Sequence, residues 1–232
     1  MINDTVAVDC GALGFWSTSE AQARIKNLFL THSHADHIAT LPIFVENSYE
    51  GKPDCVTVWG NAAVLNCIRE DIFNDRFWPD FLRLAPPGAP FLELAKLESE
   101  VPVVVDGIRV TPVLVNHTVR CFGMILQTRR SSVVIISDTA PTERIWEIAS
   151  GLPNLKAVYL EAAFPNKMHE LAVVSKHLTP TMFGAETKKL RQPTTFVALH
   201  LKARYREKIG AELMALGLSK LQLAIPNREY TW

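Results

Sequence analysis

The sequence predicts an α/β fold, of the α+β kind, in which two β-sheets are covered by outer helices. Short β-rich runs alternate with helical stretches along the 232 residues. The predicted strands nevertheless outnumber the helices, and several follow one another directly through the middle of the chain. A doubly wound sheet would alternate strictly, so two sheets fit better. The length favours one large domain, or one domain with an inserted flap, over residues 1–232.

Runs rich in β-branched and aromatic residues predict the strands. The run NLFLT at residues 27–31 is typical of a buried strand because its centre is wholly apolar. The predicted strands are Thr5–Asp9, Asn27–Thr31, Val56–Trp59, Val103–Val105, Ile108–Val115, Phe122–Gln127, Val133–Ser137, Ala157–Glu161, Thr195–Leu199 and Leu221–Ala224.

Apolar residues that recur every three or four positions predict the helices. The predicted helices are Ser19–Ile25, Ile38–Tyr49, Ala62–Phe73, Thr142–Ala149, Glu170–Ser175, Pro180–Leu190 and Arg204–Leu216.

One segment, at about residues 74–100, has no clear periodicity. Asn74–Ser99 reads NDRFWPDFLRLAPPGAPFLELAKLES and is rich in Trp, Phe and Pro. Long irregular segments in compact domains are often functional. Two interpretations stay open, a connector packed on the core and a flap or dimerisation insert beside the active site.

Composition narrows the functional classes. Lysine plus arginine and aspartate plus glutamate number 24 each, so the formal net charge is zero, which argues against electrostatic capture of nucleic acid or anionic membrane. The first residues lack a basic stretch followed by an apolar one, and no apolar run reaches the length of a membrane span. The four cysteines are scattered, without a C-x-x-C pair. We expect a cytoplasmic protein with reduced cysteines and no membrane partner.

The strongest motif is THSHADH at residues 31–37, directly after the apolar run NLFL. Residues two apart in an extended loop project to the same side, so His32 and His34 can hold one metal ion. Asp36 and His37 then lie where the chain turns into the next helix, directed at a second ion. Imidazole and carboxylate together suit zinc, with iron or manganese as alternatives.

Three further donors follow apolar strands. His117 follows VTPVLVN, Asp138 follows VVIIS and His200 follows TTFVAL. Strands that each end in a potential ligand are what a metal site along one rim of a sheet requires. His169 has no such setting, and we expect it to be a bystander.

With these residues in this order, the chain resembles the metallo-β-lactamase superfamily over nearly its whole length. The resemblance implies an αββα sandwich with a dinuclear site at its open edge. It further implies that one ion is held by His32, His34 and His117, that the other is held by Asp36, His37 and His200, and that Asp138 bridges both.

Within that superfamily, THSHADHIATLP, EAAFPN and SKHLTP are similar to the class II cyclic-nucleotide phosphodiesterases. The chain departs from the common pattern of that family at Thr40 and near Ala140, where glycine is usual, and neither departure touches a ligand. The resemblance places Glu161, Asn166 and His177 in the family's pattern. It implies a metal-dependent phosphodiesterase that hydrolyses 3′,5′-cyclic nucleotides (cAMP or cGMP) to 5′-nucleotides.

When a phosphodiester is hydrolysed, its leaving group departs as an alkoxide that needs a proton. A histidine that binds no metal is an apt proton donor at neutral pH. His177 is the candidate donor, Glu161 the carboxylate that orients it, and Asp36 a further group to orient the nucleophile. Asn166 is a candidate contact for ribose or base. The alternatives are that His177 only hydrogen-bonds backbone at a helix start and that Glu161 pairs with a nearby cation.

Two other functions stay open. Transfer-RNA 3′-processing nucleases carry a similar Glu and His pair, but also a Gly-rich arm that this sequence lacks, and zero net charge disfavours an RNA partner. A non-catalytic metal-binding paralogue is the second, although a scaffold has no need for an open dinuclear site. A homodimer is expected from the resemblance alone.

Overall fold

The computed structural model describes residues 1–232, which form two compact units, Met1–Glu98 and Ser99–Trp232. Each unit contains one β-sheet and its own hydrophobic core. The two sheets predicted from the sequence are therefore present. The expectation of a single domain with an insert stays a prediction.

The N-terminal unit is built on a four-stranded, fully parallel sheet of order β1-β2-β3-β4. Parallel neighbours need crossover connections, and helices supply them. The strands are β1 (Val6–Val8), β2 (Asn27–Phe29), β3 (Val56–Gly60) and β4 (Leu92–Lys96). The helices are α1 (Ser19–Ala23), α2 (Ala35–Ile38), α3 (Leu41–Ser48) and α4 (Ala62–Cys67), which continues into a π-turn at Ile68–Ile72.

The C-terminal unit is built on a seven-stranded mixed sheet of order β11-β10-β9-β8-β7-β6-β5. Strands β5 to β8 pair antiparallel, and β8 to β11 pair parallel. The strands are β5 (Val103–Val105), β6 (Ile108–Val115), β7 (Cys121–Gln127), β8 (Ser132–Ile135), β9 (Leu155–Glu161), β10 (Thr195–Leu199) and β11 (Leu221–Leu223). The helices are α5 (Arg144–Ser150), α6 (His169–Ser175), α7 (Pro180–Thr187) and α8 (Arg206–Met214).

The predicted helix over residues 38–49 begins later in the structure, as α3 (Leu41–Ser48), and Ile38 instead ends the separate short helix α2. Thr40 lies between the two helices, where its backbone N–H and its hydroxyl both donate to the carbonyl of Cys10, at 3.1 and 2.8 Å, and its hydroxyl accepts the backbone N–H of Gly14 at 2.9 Å. Pro42 then lies in the first turn of α3, where its missing N–H costs nothing. The break fixes the chain that follows the histidine motif against the loop after β1.

The segment over residues 74–100 contains β4, which the sequence analysis did not predict. Phe81 is buried and stacks on Phe73 and Phe91, with ring centroids 5.4 and 4.3 Å apart. Phe77 and Leu84 are exposed. Much of the segment is thus packed on the core of its own unit, and a role as flap or dimerisation insert stays a prediction.

No helix is suited to crossing a bilayer, since the longest, α8, has nine residues where about 20 apolar ones are needed.

Candidate metal centre

The THSHADH motif forms the loop from β2 into α2. His32 is fully buried, and His34 has extended backbone angles as the residue before α2 begins. Nε2 of His32 lies 3.0 Å from Nδ1 of His34. Two nitrogens that share one tetrahedral zinc ion lie about 3.3 Å apart, given Zn–N bonds of about 2.0–2.1 Å. The two imidazoles are therefore spaced to share one ion.

Asp9, which follows β1, supports this loop and was missed from the sequence. Its Oδ1 accepts the backbone N–H of Thr31 at 2.8 Å, and the hydroxyl of Thr31 lies 3.0 Å from both carboxylate oxygens. Its Oδ2 lies 2.7 Å from Nδ1 of His37. A carboxylate at Nδ1 holds the tautomer that leaves Nε2 to bind metal. The signal was present, since Asp9 ends the apolar run VAV.

Asp36 and His37 lie in the first helical turn after His34, Asp36 exposed and His37 buried. The backbone N–H of Cys10 donates to the carbonyl of His37 at 2.7 Å. A Cβ added at Gly11 would lie 1.9 Å from the carbonyl oxygen of Asp36. Gly11 is thus required for the close approach of two backbones at this point.

In the C-terminal unit, the predicted strand-end donors do come together. His117 follows β6, Asp138 follows β8 and His200 follows β10. Oδ2 of Asp138 lies 4.0 Å from Nε2 of His117 and 3.9 Å from Nδ1 of His177, and Oδ1 lies 3.6 Å from Nε2 of His200. The buried carboxylate thus presents one oxygen to His117 and the other to His200, the arrangement that a bridging ligand needs.

Glu161, the last residue of β9, is paired with His177. Oε1 of Glu161 lies 2.8 Å from Nδ1 of His177 and accepts the backbone N–H of Thr139 at 2.9 Å. Its Oε2 accepts the backbone N–H groups of Ala163 and Leu178. Three backbone donors and one imidazole occupy this carboxylate, so its oxygens are committed to holding His177 and the surrounding loops.

Burial and the contact between Glu161 and His177 shift the pKa values of both side chains. Complete burial raises the pKa of the Glu161 carboxyl above its ordinary value, against the opposing hydrogen bond from His177. Burial lowers the pKa of His177, but the hydrogen bond and charge of Glu161 outweigh it, so this pKa is raised overall. The contact with Glu161 is thus what raises the pKa of His177.

Glu161, His177 and His200 also form a group whose donor atoms lie within 4.8 Å of one another. Geometry alone thus allows a metal at this place. The four hydrogen bonds to Glu161 speak against it, because a metal would have to displace them. The orienting role expected for Glu161 agrees better with its contacts.

Asn166 and His169 were also singled out from the sequence, and their surroundings differ from those of the candidate ligands. Asn166 accepts the backbone N–H of Thr181 at the start of α7 and donates its own to Glu212. Its side-chain oxygen thus has a structural task, and a contact with ribose or base stays a prediction. His169 is exposed at the first residue of α6.

Solved structures similar to this chain share one fold. The unliganded yeast phosphodiesterase PDE1 has a TM-score of 0.77 at 21% identity, covering 89% of this chain and 68% of its own. The metallo-β-lactamase fold protein YhfI from Bacillus subtilis has a TM-score of 0.69 at 16% identity, covering 94% and 83%. The predicted fold class, α/β with the αββα sandwich of the metallo-β-lactamase type, is confirmed.

Sequence comparison narrows the assignment further. A probable 3′,5′-cyclic-nucleotide phosphodiesterase from Yersinia pestis is 26% identical over an alignment of 227 residues that covers 85% of this chain. The chain spans 62% of the length of that relative. The family described as cAMP phosphodiesterases class-II matches residues 15–145, more than half of the chain. The chain therefore belongs to the class-II cAMP phosphodiesterase family, as its motifs predicted.

Proposed function

We propose that this protein is a dinuclear metal-dependent phosphodiesterase that hydrolyses 3′,5′-cyclic nucleotides, cAMP or cGMP, to 5′-nucleotides. The observation that carries the proposal is Asp138, which turns one carboxylate oxygen toward His117 and the other toward His200. Family membership supplies the substrate class.

The proposed ligands are seven nitrogen and oxygen donors. They suit zinc, with manganese or iron as alternatives, because no thiolate is among them. One ion would be held by His32, His34 and His117, the other by Asp36, His37 and His200, with Asp138 shared. Divalent ions held there would neutralise charge on the phosphodiester and lower the pKa of a water molecule toward about 7.

His177 is the proposed proton donor. With Nδ1 held 2.8 Å from Glu161, its Nε2 is the nitrogen left to protonate the departing 3′-oxygen of the ribose. Glu161 fixes the orientation of the ring and favours its protonated form. Asp36, exposed at the start of α2, is the proposed group that orients the attacking water.

A small cyclic nucleotide is the proposed partner, and Asn166 its candidate contact. All four cysteines are free thiols, which supports a reducing, cytoplasmic location. A homodimer stays a prediction.

One observation favours a second candidate, the processing of RNA. The zero net charge is unevenly divided. Residues 99–232 carry 17 lysines and arginines against 11 aspartates and glutamates, a formal charge of +6. A surface cleft soon after His200 has four basic side chains and one acidic one, which are Lys167, Arg204, Arg206, Lys208 and Glu207. Clustered basic side chains can attract a polyanion. The zero net charge of the whole chain is therefore only a weak argument against an RNA substrate.

Metal analysis combined with hydrolysis of bis-p-nitrophenyl phosphate tests the proposal. Protein never exposed to chelator should contain two divalent ions per chain and cleave this diester. Asp138→Ala should lose metal and activity together. A persistent stoichiometry near one, with no second ion taken up from added zinc or manganese, would contradict the dinuclear assignment. Two bound ions without any hydrolysis would favour a non-catalytic paralogue.

A further inference from the structure

Lys176 ends α6 in the left-handed conformation, with φ 54° and ψ 53°. The backbone N–H of Lys176 donates to the carbonyl of Val173, and that of His177 donates to the carbonyl of Ala172. These two bonds form a Schellman motif, in which the left-handed position is usually glycine. A lysine there has an energetic cost that glycine avoids, so its side chain or its neighbours must give a reason for its presence.

Lys176 contacts His117 twice, across 59 positions of sequence. Its carbonyl oxygen lies 3.0 Å from Nδ1 of His117, and its ammonium nitrogen donates to the carbonyl oxygen of His117 at 3.1 Å. A carbonyl only accepts, so Nδ1 of His117 must carry the proton. In the neutral imidazole, Nε2, which lies 4.0 Å from Oδ2 of Asp138, is then the unprotonated nitrogen that can bind a metal ion.

The same turn positions the proposed proton donor. His177 directly follows Lys176, and the Schellman bond to Ala172 fixes its backbone. The rings of His117 and His177 lie 5.1 Å apart, centroid to centroid. A single turn of chain therefore sets the place of one metal donor and of one proton donor.

We propose that Lys176 is a positioning residue, a two-point clamp that fixes the tautomer and place of His117 and couples them to His177. This inference deepens the proposed function and rests on His117 being a metal ligand. A glycine at this position would suit the left-handed turn better, but it has no ammonium group to hold the backbone of His117.

Zinc affinity, measured by competition with a chelating indicator, tests the clamp. Lys176→Gly relieves the turn and removes the ammonium group, so the melting temperature of the zinc-free protein should rise by about 1–4 °C. The zinc dissociation constant should nevertheless rise about five- to tenfold, because the ammonium hydrogen bond that holds the backbone of His117 is lost, although the carbonyl of residue 176 can still accept from Nδ1. Lys176→Met should weaken zinc binding as much, and Lys176→Arg should restore it to within threefold of the wild type.

Asp106→Gly is the matched control, because Asp106 also has a positive φ, 47°, at the turn between β5 and β6. It should gain stability and keep its zinc affinity. Wild-type affinity in both Lys176→Gly and Lys176→Met, or an equal loss in Asp106→Gly, would overturn the clamp.

The tautomer of His117, read from imidazole ¹⁵N shifts of the zinc-free wild type, tests the carbonyl contact without any metal or substrate. The Nδ1–H form should dominate, and a dominant Nε2–H form would overturn the inference. If the wild type shows the Nδ1–H form but binds no zinc, the proposed function fails, and the contact itself stands.

Discussion

Oε1 of Glu161 lies 2.8 Å from Nδ1 of His177, and this contact leaves Nε2 as the nitrogen of His177 that can exchange a proton with a substrate. The contribution of such a donor depends on the leaving group. A sugar alkoxide leaves poorly without a proton, whereas p-nitrophenolate leaves unaided. The chemistry of the leaving group therefore separates proton donation from metal binding.

His177→Ala should lower kcat for a cyclic nucleotide by about 10²–10⁴, the usual contribution of a general acid. The loss of kcat/KM for bis-p-nitrophenyl phosphate should be at least about tenfold smaller than the loss for the cyclic nucleotide. This difference corresponds to about 1.4 kcal/mol of transition-state stabilisation. His169→Ala is the control, because His169 is exposed, and its rates should stay within a few-fold. Metal loss in His177→Ala, or equal effects of the two substitutions, would show that the roles are misassigned.

Glu161→Gln should disturb both the fold and the donor. The new amide group faces backbone N–H groups that need an acceptor, so we expect a loss of about 1–3 kcal/mol in the free energy of unfolding, measured by denaturant titration. As in His177→Ala, turnover of a cyclic nucleotide should fall more than turnover of bis-p-nitrophenyl phosphate.

Glu186→Gln is the matched control for that variant. Glu186 is equally buried, but it accepts from Trp146 at 2.7 Å and pairs with Lys189 at 2.6 Å. It should lose a similar amount of stability and keep the wild-type ratio of cyclic-nucleotide to aryl-ester turnover. The same change of ratio in both variants would mean that stability alone explains the effect.

Asp9→Asn should weaken metal binding about 10- to 100-fold, measured with a chelating indicator. The asparagine side chain cannot accept from Thr31 and from His37 with both of its end atoms, so one contact is lost or the tautomer of His37 changes. Asp4→Ala, at an exposed position before β1, should leave affinity unchanged. An Asp9→Asn variant with wild-type affinity would remove Asp9 from this supporting role.

Gly11→Ala should lower the melting temperature sharply, because the added Cβ would lie 1.9 Å from the carbonyl oxygen of Asp36 and one backbone must move. Metal content should fall with it, since the displaced residue is a proposed ligand. Gly151→Ala, where the nearest atom to an added Cβ is 3.6 Å away, should stay near wild type. Equal melting temperatures in the two variants would contradict the close approach.

The sequence pattern predicted those site residues whose positions depend on local structure. His117, Asp138 and His200 were found because each ends an apolar strand, and the order of those strands in one sheet brings the three side chains together. Asp9 stands in the same kind of place, but the predicted strand Thr5–Asp9 included it and so concealed it.

The remaining differences depend on distant contacts. Strand β4 was missed because it is an edge strand inside a Pro-rich segment, where pairing with β3 rather than periodicity fixes its conformation. The contact of Lys176 with His117 joins residues 59 positions apart through a backbone carbonyl. Every residue has such a carbonyl, so the amino-acid types do not indicate this contact.

The measurement that tests the central claim most directly is the turnover of a substrate panel by one metal-analysed sample. The panel holds 3′,5′-cAMP, 3′,5′-cGMP, 2′,3′-cyclic nucleotides and precursor transfer RNA. The account predicts two ions per chain and hydrolysis of a 3′,5′-cyclic nucleotide to the 5′-nucleotide, with precursor RNA left intact. Efficient cleavage of the RNA, with both 3′,5′-cyclic nucleotides untouched, would contradict it and favour the nuclease.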